Sequence, residues 1–143
     1  MKTKEKRWRI ELTQEQLCVM IMALEDWHRF LCGQCGMDHA TSYIDSPKAM
    51  HRTRELLDHE VKTAMFPELA LNQCYSWCGG QHNPYMSEAA AISYLLYREA
   101  RHQLTLANPP KHYDIYLSDT LTCDEQGPMI KVEPINPAKD ERL

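Results

Sequence analysis

The chain has 143 residues with 43% hydrophobic and 25% charged residues, which fits one soluble globular domain with a core of its own. Its formal net charge of −4 gives no general pull toward nucleic acid or an anionic membrane. No run of 18 apolar residues is present, and the basic opening MKTKEKRWR lacks the apolar core of a secretory signal.

In RWRIEL, Trp8, Ile10 and Leu12 fall on one side and Arg7, Arg9 and Glu11 on the other, the period of a half-buried strand. Thr13 follows as an N-cap, with Gln16 in place to complete a capping box. Leu17, Met20, Ile21, Leu24, Trp27, His28 and Leu31 recur at helical spacing, predicting a first helix over about residues 14–32 that stops near Gly33 or Gly36. MDHATSYID reads as a loop. Ser46 and Pro47 supply an N-cap and first-turn proline for a second helix. Its apolar stripe is Met50, Leu57, Val61 and Met65, and Pro67 ends it near Ala64.

An irregular stretch spans Pro67 to Tyr85, and Asn83-Pro84 or Ser87 opens a third helix that ends before NPP, Asn108 to Pro110. YDIYL (113–117) and MIKVE (129–133) alternate and read as strands. The expected fold is therefore α+β, three main helices packed on a small antiparallel sheet of about three strands in a two-layer single domain. Residues 1–6 and 134–143 are expected to be loose ends.

Six cysteines in a reducing compartment are expected to be free thiols or metal ligands rather than disulfides. Cys32 and Cys35 form C-x-x-C-G, and Cys74 and Cys78 form a second pair, with His39 and His82 as substitute ligands. Four such groups can complete a zinc tetrahedron. Against this, Cys32 lies on the helical pattern and the second pair has an x3 spacing, so free thiols packed as small apolar groups are the plainer reading. A reactive dithiol is disfavoured because the pair stands at a helix C-terminus, where the dipole supports the neutral thiol.

Two E-x-x-H motifs lie on helices, Glu25–His28 and Glu99–His102. Each offers a carboxylate and an imidazole on one face, as carboxylate metal sites use. By position, His28 sits within the apolar stripe of the first helix and Glu99 within that of the third, which Ile92, Leu95, Leu96 and Leu106 define. A buried carboxylate needs a partner, so the simpler expectation is a hydrogen-bonded polar pair, Glu99 with His28 or with an arginine. An enzyme using Glu99 and His28 as acid and base would need an open pocket beside them. His51, Glu55 and His59 share a helix face but are placed toward solvent. No glycine-rich phosphate loop, G-x-S-x-G or H-E-x-x-H is present.

At LTQEQLCVMIMALEDWHRFLCGQ, followed by ATS, the chain resembles small hypothetical proteins of Bacteroidales gut bacteria and their phages or integrated elements. The likeness extends through YLLYREARH to SDTLTCDEQGPMIKVEP, over roughly residues 8–133. It implies an intracellular accessory protein and carries over no functional residue; with no secretory signal or spanning segment read, a cytoplasmic location is expected. The residues and the resemblance together lead to a non-enzymatic domain that binds a protein partner or itself, with no nucleic-acid or membrane partner expected. No cofactor is expected in that reading. The alternative is a small metal-binding domain, with zinc at the four cysteines or a metal at the two E-x-x-H motifs.

Overall fold

A computed structural model describes residues 6–76, 85–109 and 132–135. Helix α1 spans Gln14–Leu31, and the expected capping box is present: Gln16 N–H donates to Thr13 Oγ1 at 3.2 Å and Thr13 N–H to Gln16 Oε1 at 3.0 Å. The helix closes on Gly33, whose φ of +92° is a left-handed conformation that favours glycine. Gly33 N–H returns to Phe30 O at 3.1 Å and Gln34 N–H to Arg29 O at 2.8 Å, the paired bonds of a Schellman ending.

A short helix, α2 (Asp38–Thr41), follows where a loop was expected. Helix α3 (Pro47–Leu56) starts at Ser46, whose hydroxyl accepts Ala49 N–H. It continues through a π-helical stretch, Leu57–Val61, into α4 (Lys62–Met65). The turn to Pro67 thus comes one residue after the expected Ala64. Helix α5 (Glu88–Ala107) starts at Ser87, whose side chain caps Ala90 N–H, and ends at Asn108 ahead of the two prolines.

The described residues contain no strand, so the expected α+β fold with a three-stranded sheet is corrected to a helical one. Residues 7–12 form no regular structure, with Trp8 90% and Ile10 76% exposed. An alternating pattern makes a strand only where a neighbouring strand takes up its backbone groups, and no described segment does so here. The strand expected at Tyr113–Leu117 lies outside the described residues. Of the one expected over 129–133, only Val132 and Glu133 are described, and neither is in a strand.

The core is the seam between α1 and α5, which run antiparallel: Gln14 meets Asn108 at one end and His28 meets Ala90 toward the other. Ile21, Tyr97 and Ala100 form its centre, with Leu17, Met20, Leu24, Tyr94, Leu104 and Val132 packed around them. A second cluster joins Cys32, Met86 and Ala90 to Leu31 and Tyr75. On α5 the buried line is Ala90, Ser93, Tyr97 and Ala100. Ile92 and Leu106, expected on the inward side, are 47% and 49% exposed. Small side chains let α1 approach closely along that line and rotate the bulkier aliphatics outward.

Candidate functional site

The inward polar chemistry centres on Glu25, not on the expected pairing of His28 with Glu99. Glu25 lies one turn before Arg29 on α1 and is 5% exposed. Its carboxylate takes three charged or ionisable partners: Arg29 Nη2 at 2.8 Å on Oε1, then His39 Nε2 at 2.9 Å and Arg101 Nη2 at 2.5 Å on Oε2. One carboxylate thus ties α1 to α2 and α5. Burial alone raises its pKa, but the hydrogen bonds from His39 and Arg101 and the charges of Arg101 and Arg29 outweigh it, leaving the carboxyl below its ordinary value.

Asp26, the next residue, is also buried and serves the same joint. Its Oδ1 accepts His39 N–H at 3.0 Å and its Oδ2 accepts Ala40 N–H at 2.8 Å. These are first-turn amides of α2, whose orphan donors suit a carboxylate. A side chain from α1 therefore caps α2, whose own N-cap residue, Met37, makes no side-chain cap bond and sits at φ 48°. Arg54 of α3 completes the joint by donating to Thr41 Oγ1 at 2.7 Å and Asp38 O at 2.9 Å.

His28 is buried one turn beyond Glu25, against the rings of Tyr94 and Tyr97 at centroid distances of 5.0 and 5.7 Å. Its Nδ1 lies 2.7 Å from Ala90 O. A carbonyl only accepts, so Nδ1 carries the proton and, in the neutral ring, Nε2 is the bare acceptor. Burial lowers the imidazole pKa, with Ala90 O partly opposing it, so the ring is held neutral. The Cys32 thiol lies 3.7 Å from Nε2. Burial, with a smaller contribution from Cys74, pushes that thiol up to about 11. Cys32 and His28 are 3% and 8% exposed, an enclosed pair without the open pocket that acid–base work needs.

Glu99 is half-buried and accepts Gln103 Nε2 at 3.3 Å, beside the buried line of α5 rather than on it. His102 is likewise half-buried. His51, Glu55 and His59 are exposed as expected, and His51 pairs with Glu55 at 3.2 Å. Four of the six cysteines, Cys18, Cys32, Cys35 and Cys74, are described, and all are free thiols. Cys35 is fully buried and directs its thiol to Phe30 O at 3.8 Å, while Cys74 accepts Gln34 Nε2 at 3.3 Å. Cys78 and His82 lie outside the described residues. Among the described residues, no three His, Cys, Asp or Glu side chains converge as metal ligands, at the cysteines or at either E-x-x-H motif.

Beside this joint is a cleft of about 530 Å³, lined on one wall by Asp26, Arg29, Gln34 and Asp38 and on the other by Asp58, Lys62, Gln73 and Cys74. Lys62 is 4% exposed, and its ammonium donates to Leu71 O at 2.9 Å and to Gln73 O, fastening the 71–73 loop to α4. Lys62 does not stand out in the sequence. The two adjacent acidic residues of EDWH, with Arg29 at i+4 from Glu25, are the local signal for the joint. Its long-range partners His39 and Arg101 have none.

Comparisons with protein-family models, with curated proteins and with solved structures found no match. No helix among the described residues is long and apolar enough to cross a membrane.

Proposed function

We propose that this chain is a non-enzymatic accessory domain that works by binding another protein, and that residues 7–12 are its binding segment. The observation that carries this reading is the exposure of Trp8, at 90%, and Ile10, at 76%, on a segment without regular structure. Large apolar side chains there, alternating with Arg7, Arg9 and Glu11, have the pattern of a strand awaiting a sheet edge. The buried polar groups favour the same reading. Glu25, Asp26, His28 and Lys62 are each engaged in bonds that join helices or loops, which is structural work.

The alternation suits strand addition: backbone bonds supply affinity while Trp8, Ile10 and Leu12 enter pockets on one face. The adjoining arginines favour a partner with an acidic rim. A photoreactive phenylalanine at position 8 of the full chain tests this in cells. The expected result is one discrete cross-linked adduct that disappears in the Ile10→Glu variant. No adduct, or adducts indifferent to Ile10→Glu, would remove the reading. Sedimentation of the purified chain at rising concentration separates a second copy from a different protein.

A further inference from the structure

We infer that Cys32 and Cys74 are a redox pair, able to form an intramolecular disulfide that locks the 66–76 loop onto the C-terminal end of α1. The two residues are held together by the backbone. Tyr75 N–H donates to Cys32 O at 2.8 Å, and each cysteine's α-carbon is only two covalent bonds from that hydrogen bond. A disulfide needs bridged α-carbons ~4.4–6.8 Å apart, and this backbone hydrogen bond is what keeps the two residues side by side. The left-handed turn at Gly33 brings the loop close: a β-carbon there would stand 3.8 Å from Cys74 Cα. Gln34 then fixes the Cys74 sulfur with its side-chain amide. The other candidate for Cys32, its C-x-x-C neighbour Cys35, directs its thiol to Phe30 O and is fully enclosed.

The exposures assign the order of events. Cys74 is half-buried and lines the cleft, so it meets the oxidant first; Cys32 is buried behind it. The oxidant is a small-molecule disulfide. The Cys74 thiolate attacks one of its sulfurs, the S–S bond breaks, and one small thiol leaves. Cys32 then releases its proton and, as the thiolate, attacks the Cys74 sulfur of the mixed disulfide. The second small thiol leaves and takes up that proton. Two protein thiols become one disulfide, and one small disulfide becomes two thiols. The raised pKa of Cys32 makes the second step the slow one.

The bond would close a loop through α2, α3 and α4 and tie both cleft walls together. It would raise Tm by about 10 °C relative to the reduced chain. The test incubates the purified full chain with oxidised and reduced glutathione, traps free thiols by alkylation, and maps disulfides by mass spectrometry. The expected product is a Cys32–Cys74 link that dithiothreitol reverses, that persists in Cys35→Ala and is absent in Cys74→Ser, with the rise in Tm confined to the linked form. Cys32 remaining alkylatable, or linked instead to Cys35, would overturn the inference. So would Cys74 linked to any other cysteine or to a second molecule. Cys74 is only partly buried, so Cys74→Ser is expected to fold, and a reduced-state Tm within 2–3 °C of the parent would verify that.

Discussion

Helix α1 and the helix running from α3 through α4 carry apolar stripes of similar period, but the molecule treats them differently. The α1 stripe meets α5 and is buried around Ile21, with Glu25 and His28 drawn in beside it. The stripe of the middle helix, Met50, Leu57, Val61 and Met65, has no fully buried member, and Met65 is 49% exposed. The buried residue there is a lysine, Lys62, placed just beyond the π-helical stretch and anchored to loop carbonyls. Amphipathic period states which face is available for burial; a facing helix decides whether it is used. Among the described residues no long helix faces this stripe, and polar anchors hold the segment: Arg54 near its middle and Lys62 near its end.

This contrast can be broken most forcefully at Glu25. Replacing it with alanine leaves Arg101 without its carboxylate in the seam and releases α2. We expect a loss of about 3–4 kcal/mol in urea unfolding, the range for breaking a buried pair. The equivalent disruption in the middle helix, Lys62→Met, leaves two loop carbonyls without that donor. It should cost about 1–2 kcal/mol and speed amide exchange in residues 71–76 more than in α1 or α5.

Acid should weaken the α1–α5 seam in two stages. His28 has a folded pKa below its ordinary value of 6.5, so the unfolded chain binds the proton more readily, and stability declines as pH falls from 6.5 toward the folded value. Glu25 also has a lowered folded pKa; its contribution is present above the ordinary value of 4.5 and lost as pH falls through the folded one. Urea midpoints measured from pH 8 to 3 should therefore hold down to about pH 6.5 and then fall in two stages, and His28→Gln should flatten the first stage only. The smallest effect is expected from Met50→Ala, on the partly exposed stripe of the middle helix, at under about 0.5 kcal/mol in the same assay.

Local chemistry was readable in the sequence, and long-range pairing was not. Thr13, Gln16, Gly33, Ser46, Pro47 and Ser87 set helix ends through bonds to residues three or four away, and each acts as its type predicts. The strand pattern at residues 7–12 misled because alternation is satisfied equally by an exposed segment. Glu99 appeared inward because Ile92, Leu95 and Leu96 read as the apolar side of α5. The buried line is instead Ala90, Ser93, Tyr97 and Ala100, where the small residues let a second helix come near and one tyrosine fills the seam. His28 was placed correctly inside the stripe, yet its partner is a backbone carbonyl, which leaves no mark in a sequence. The short helix α2 has the same origin: its cap, Asp26, comes from another helix.

The carboxylate of Glu25 is a structural tie between α1 and α5. A double-mutant cycle with Glu25→Gln and Arg101→Met, read by urea unfolding at pH 7, measures that tie directly. The account predicts a coupling energy of about 2–3 kcal/mol, with the double variant no less stable than Arg101→Met alone. A coupling near zero would contradict it, because the two side chains would then contribute independently despite their 2.5 Å contact.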